Sequence, residues 1–220
     1  MSATLPYQAP TSIAPIRVEA SILQRAKAND VQAITTMFQQ FVSPDEEIYF
    51  AEYCGVQGLW GLGRHCFACL TNRRVASLTV GLFGFIVYQD GFLEYGNSGV
   101  IYQPSKLWLY LFGGWAAFVA LALALISFAA GIGVFYEMGG VLGLLAALLV
   151  VAFGLAASAL VFLLTVKAYY RFFKCGLVWW IREGIAVYVF TNRSKLTRAN
   201  HLYRLCTQLR DERLKAVGHP

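Results

Sequence analysis

Charge is what this chain is short of. Only 14% of its 220 residues are Asp, Glu, Lys or Arg, against roughly 25% in soluble domains. The shortage is local: between Lys106 and Lys167 the one ionisable side chain other than tyrosine is Glu137. A soluble surface helix shows a polar face over such a length, so that class is excluded there. Histidine is scarce as well. His65, His201 and His219 stand alone, outside any nucleophile or metal-ligand motif. No nucleophile elbow, phosphate-binding glycine loop or carboxylate pair accompanies them. No enzyme, no metal and no cofactor are therefore expected, and nothing points to a nucleic-acid partner. The five cysteines are an odd number, which argues against a disulfide framework. Cys66 and Cys69 form a C-x-x-C, but residues three apart on a strand face opposite sides, and no second pair exists; they read as structural thiols. A cleavable signal peptide is not expected either, because Met1 to Ile16 is proline-rich without an apolar centre.

What the charge gap contains is two apolar runs, about Leu107 to Val134 and Met138 to Val166. A helix of about 20 residues crosses a ~30 Å hydrocarbon layer, so each run is long enough to span a membrane. The outer flanks carry Lys106, Lys167, Arg171, Lys174 and Arg182, while the connector holds Glu137 and no Lys or Arg. The distribution of basic residues sets orientation, so two transmembrane helices with cytoplasmic N and C termini are expected. The net charge of +6 then faces anionic head groups. No charge lies inside either span, which argues against an ion or proton pathway. Gly139, Gly143 and Ala147 are four apart and make a ridge for close helix packing. The first span is their expected partner, with homo-oligomerisation or docking onto a larger membrane protein as the alternative.

The remainder divides as follows. Residues 1–16 read as a disordered tail and residues 17–43 as a helical segment. In that segment Val31, Ile34, Phe38 and Phe41 share a face, and Asp30 is placed to cap the helix. The pair of helices either covers an open surface of the next domain or docks a partner. Residues 46–104 alternate as five or six strands. "HCFACLT" and "RVASLTV" flank a turn at Asn72-Arg73; Asp90-Gly91 and "GNSG" are read as further turns. Residues 105–168 are the hairpin of spans. Residues 170–214 give one more strand pair, then a helix with Leu196, Ala199, Leu202, Tyr203, Cys206 and Leu209 as its apolar stripe.

A lone strand pair is marginal in water, and the earlier strands need an edge closed. Each piece supplies what the other lacks. Antiparallel helices pack about 8–10 Å apart, so the chain leaves and re-enters at nearly one point. The stretch "FACLTNRRVASLTVGLFG" (Phe67 to Gly84), with the terminal strand pair and helix (Phe173 to Leu214), resembles the bacterial pleckstrin-homology-like domains. The fold this implies is α+β: a PH-like seven-stranded barrel or sandwich with a C-terminal helix, split by a transmembrane hairpin and preceded by N-terminal helices. Members of that family often bind phosphoinositides through basic residues in the first strand-to-strand loop. Here that loop, Val56 to Gly63, has Leu59 and Trp60 and no Lys or Arg. The Leu-Trp tip either enters the membrane interface or packs. Arg64, Arg73, Arg74, Lys174, Arg193 and Lys195 are the candidate basic patch for a lipid surface or a protein partner. The expected function is a non-enzymatic membrane-anchored adaptor that recruits a protein or senses the lipid surface. The alternative is an accessory subunit held in a larger membrane complex by the hairpin and N-terminal helices.

Overall fold

The structure is a computed structural model that describes residues 16–58 and 63–216. The described residues form five α-helices and seven strands, the strands arranged in two antiparallel sheets. α1 (Ala20–Lys27) and α2 (Val31–Phe38) come first. They are followed by β1 (Ile48–Gln57), β2 (Arg64–Thr71), β3 (Arg74–Val80), β4 (Ile86–Phe92) and β5 (Gly96–Tyr102). Two long helices, α3 (Lys106–Met138) and α4 (Gly140–Phe172), separate β5 from β6 (Gly176–Ile181), β7 (Ala186–Phe190) and α5 (Leu196–Ala216). The first sheet has the order β1-β2-β3-β4 and the second β5-β6-β7. The two strands that flank the long helices are therefore hydrogen-bonded neighbours, with Tyr102 opposite Gly176.

Why β2 reads as an almost unbroken apolar run follows from the layers on its two faces. Cys66, Ala68 and Leu70 point into the core shared with Leu177, Trp179 and Val187 of the second sheet. Phe67 and Cys69 alternate to the other face, beneath Ile34, Met37 and Phe38 of α2. A strand covered on both faces loses the usual polar alternation. Each fully buried large side chain contributes roughly 1.5–3 kcal/mol, so the N-terminal helices are part of the domain rather than a free appendage. Asp30 caps α2 by accepting from the backbone N–H groups of Gln32 (3.0 Å) and Ala33 (3.2 Å). Of the expected apolar stripe, Phe41 stacks on Tyr88 at 4.3 Å, whereas Val31 is exposed.

Ala199, Leu202 and Cys206 of α5 close the core between the sheets. The exposed edge of β1 is met by polar groups from elsewhere. Asn29 Oδ1 accepts from Tyr53 N (2.9 Å), and Arg198 donates to Tyr53 O (2.7 Å). Further along, Asn192 N donates to Cys54 O (3.0 Å), and its side-chain oxygen accepts from Val56 N (3.2 Å). Gly55 lies opposite; a Cβ there would come within 2.5 Å of the Asn192 side chain.

Two expected turns are strand interior instead. Asp90 and Gly91 pair with Ala76 and Val75 inside β4. Gly91 makes room for the other sheet: a Cβ would lie 2.1 Å from Ile181 Cδ1, which would have to move. "GNSG" belongs to β5, where Cβ atoms on Gly96 and Gly99 would meet Trp179 at 2.5 Å and Tyr203 at 2.6 Å. These glycines admit large aromatic rings. The connection from β4 to β5 is a short turn at Leu93–Tyr95.

α3 and α4 are 33 residues each, long and apolar enough to cross a membrane, and most of their apolar side chains are uncovered. They pack on each other through small residues. Gly131 approaches Ala147 and Val151, Gly154 lies against Ser127, and Ser158 Oγ donates to Ala120 O at 2.6 Å. Gly143 fits against Met138 and the Phe135 carbonyl. Gly139, expected on the ridge, instead forms the turn between the helices, with φ +59°. α4 continues to Phe172, past the expected boundary at residue 168. Its last turn holds Tyr169, which together with Phe173 packs on Phe112.

Candidate functional site

Strand register gathers several segments at one end of the β-domain, hereafter the hairpin end. Gln57 pairs with Arg64, His65 with Val80, Val80 with Ile86, and Tyr102 with Gly176, itself opposite Phe190. The β3–β4 turn, both junctions with the long helices and the passage from β7 to α5 therefore share that end. The opposite end carries the β2–β3 turn, the Leu93–Tyr95 turn and the Arg182–Gly184 turn.

This division splits the expected basic patch. Arg73 and Arg74 sit at the far end, about 23 Å from Arg64 at roughly 3.3 Å per residue along β2. They are also occupied. Arg73 pairs with Asp45 at 3.0 Å. Arg74 pairs with Glu46 at 2.5 Å and Asp90 at 2.6 Å, and lies over the Phe92 ring at 4.6 Å. Thr71 completes that network: its hydroxyl donates to Glu46 Oε2 (2.8 Å) and accepts from the N–H groups of Arg73 (3.1 Å) and Arg74 (2.9 Å). The cations of the Thr71-Asn72-Arg73-Arg74 turn are thus neutralised by carboxylates from the segment before β1 and from β4.

At the hairpin end the cations differ in role. Arg193 donates to the carbonyl of Pro104, fastening the start of α5 to the start of α3. The Lys195 ammonium lies 4.0 Å over the Tyr53 ring; burial, then the neighbouring Arg198, holds its pKa below the usual lysine value. Lys174 is exposed. Arg64 lies 4.2 Å over the ring of Phe85 and has no carboxylate partner among the described residues. Leu59 and Trp60 fall outside the described residues.

Sequence reasoning missed two members of this end. A cleft of about 470 Å³ is walled on one side by Gln57 and Arg64 and on the other by Leu163, Val166, Lys167 and Arg171 of α4. Lys167 and Arg171 had counted only as flanking charges. Their spacing with Leu163 and Val166, at three and four residues, places all four on one helical face. That signal was in the sequence; what was not is that Arg64 would come to face it. Among the described residues no carboxylate lines the cleft.

Beside the cleft projects the β3–β4 turn. Gly81 N donates to Phe85 O at 2.7 Å, closing a loop on which Leu82, Phe83 and Phe85 are exposed. Phe83 is fully exposed and adopts φ +55°, ψ +32°. A bulky residue in the left-handed region is an outlier worth a functional account.

Burial pushes the thiols of Cys54, Cys66 and Cys69 up to about 12, and all five cysteines are free and buried. His65 Nδ1 lies 2.9 Å from the Tyr53 hydroxyl; burial, then Lys27, lowers its pKa. His201 packs edge-on against Phe50. No family model matches the chain, and comparison with curated proteins and with solved structures finds no match.

Proposed function

We propose that this chain is a non-enzymatic, membrane-anchored adaptor: a pleckstrin-homology-like domain held against the cytoplasmic membrane surface by its own transmembrane hairpin. The observation that carries this reading is the insertion of two long apolar helices between hydrogen-bonded neighbours, β5 and β6. Four strands, three strands and a closing helix, in that order, agree with the PH-like resemblance of the sequence. Among the described residues no other element covers the apolar surface of α3 and α4; lipid satisfies it where water does not. At ~1.5 Å per residue each helix is about 50 Å long, enough for the ~40–45 Å of a bilayer with its headgroup layers. Trp108, Phe112, Tyr169 and Phe173 cluster where the helices meet the β-domain, the position aromatic side chains favour at an interface. Leu82 and Phe83 project from the same end.

Membranes carrying the full chain test the reading. Resistance to alkaline extraction, together with labelling of both termini from the cytoplasmic side alone, is the expected result. Termini on opposite sides of the bilayer would end it. The adaptor role is tested by purification in mild detergent: a free monomer or small homo-oligomer agrees with it, whereas a stoichiometric large membrane partner identifies an accessory subunit instead.

A further inference from the structure

The cleft between α4 and the β-domain, resting on the membrane reading above, has the two-part chemistry of one ligand class. Its α4 wall begins with Leu163 and Val166, continuous with the lipid-facing surface of the helix, and ends with Lys167 and Arg171. Arg64 faces them from β2. Among the described residues none of these three cations has a salt-bridge partner, although Arg73 and Arg74 of the same domain are both paired. Three unneutralised cations around one concavity attract an anion, and phosphate is recognised well by guanidinium and ammonium groups together. The volume of about 470 Å³ falls in the ~300–1,000 Å³ range of small-molecule clefts. A soluble anion would leave Leu163 and Val166 without a role. A phospholipid uses both: acyl chain along the apolar wall, phosphate among the cations.

We propose that this cleft binds the headgroup of an anionic glycerophospholipid from the leaflet on the β-domain side, clamped between Arg64 and the Lys167–Arg171 turn of α4. The bound lipid bridges α4 and the start of β2. It fixes the tilt of the β-domain on its anchor and makes the adaptor's presentation depend on the anionic content of the membrane. The site lies on α4, the end of β1 and the first residue of β2, and depends on no basic residue in the β1–β2 loop.

The test uses the full chain in mild detergent, titrated with dioleoyl-phosphatidylglycerol or dioleoyl-phosphatidylcholine and read by native mass spectrometry. Retention of phosphatidylglycerol at least tenfold over phosphatidylcholine is expected. Arg64→Gln, which removes one charge-assisted contact to the phosphate, should weaken it about tenfold. Lys167→Gln with Arg171→Gln removes two such contacts and should weaken it roughly 100-fold. Lys174→Gln, exposed and outside the cleft, should change it less than twofold. Equal retention of the two lipids overturns the proposal, as does an equal loss with Lys174→Gln. Effective competition by sn-glycerol 3-phosphate would also overturn it, by revealing a small-anion site. A chain that stays in alkaline-washed membranes yet shows no lipid preference removes this site alone; one that washes out removes the membrane reading itself.

Discussion

The two ends of the β-domain carry cations of the same sign and put them to different uses. At the far end Arg74 is held by Glu46, whose side chain is fully buried, and by Asp90 on the neighbouring strand. At the hairpin end Arg64, Lys167 and Arg171 face a cleft that no carboxylate lines among the described residues. Both sets are only "basic residues near a strand end" in the sequence. The fold decides between them by what it brings opposite: Asp90 arrives because β3 and β4 pair, and Lys167 because α4 returns to the start of β6. Cations that stabilise the fold and cations available to a ligand are thus separated by topology.

The sharpest way to break this contrast is to remove Arg74. Arg74→Met leaves the Glu46 carboxylate buried against Thr71 without its partner, and orphaning a buried charge costs about 3–5 kcal/mol. Unfolding followed by circular dichroism in detergent should show that loss. A change below about 1 kcal/mol would place Arg74 among ordinary surface pairs and erase the difference between the ends. Arg64→Gln should leave unfolding unchanged within about 0.5 kcal/mol, as is usual for exposed sites.

Alkaline pH probes the core that both ends share. The thiols of Cys54, Cys66 and Cys69 are raised to about 12 in the folded chain from an ordinary value of 9.0. A group whose folded pKa is raised contributes stability that is complete below the unfolded value and is lost as pH rises through the folded one. The window is therefore pH 9 to 12, with a loss of about 1.4 kcal/mol per thiol per pH unit at its steepest. Unfolding at pH 8 and pH 10 should differ accordingly, and Cys69→Ala should reduce the difference by one thiol's share. A pH-independent midpoint would mean that the thiols are not sealed from solvent.

How much of this was legible beforehand depended on range. The long apolar helices, the Asp30 cap and the α5 stripe could be read because their determinants lie within a few residues of one another. The glycines could not. Gly91, Gly96 and Gly99 sit in dipeptides that signal turns, yet they are strand residues shaped by Ile181, Trp179 and Tyr203, all more than eighty positions away in the chain. The basic patch failed in the same manner. Arg74 needed Asp90, and Arg64 needed α4, before either could be assigned a role. Thr191 to Arg193 repeats the Thr-Asn-Arg of the β2–β3 turn but forms the junction between β7 and α5. Its use of Asn192 to seal the β1 edge was visible only once β1 and β7 met.

Exchanging Asp45 and Arg73 for neutral residues tests the weakest far-end pair. Arg73→Gln should cost less than about 1 kcal/mol, the usual worth of an exposed ion pair, measured by the same unfolding experiment. A larger loss would extend the structural network outward from Arg74 and sharpen the asymmetry.

The smallest expected effect on stability is the most informative about the hairpin end. Phe83 holds φ +55° with its ring wholly exposed, so the fold gains nothing visible from that side chain. An L residue in the left-handed region costs about 1–2 kcal/mol, while glycine there gives back about 0.5–1 kcal/mol in chain entropy. Phe83→Gly should therefore be neutral or stabilise by about 0.5 kcal/mol. If the ring is a membrane contact, the same substitution should weaken the approach of the β3–β4 turn to the bilayer. A fluorophore placed near that turn should lose quenching by brominated lipids. Gained stability with lost quenching means that the strain is retained for the lipid surface. Lost stability with unchanged quenching means that the ring packs within the protein, and the hairpin end then has its cationic cleft but no apolar tip.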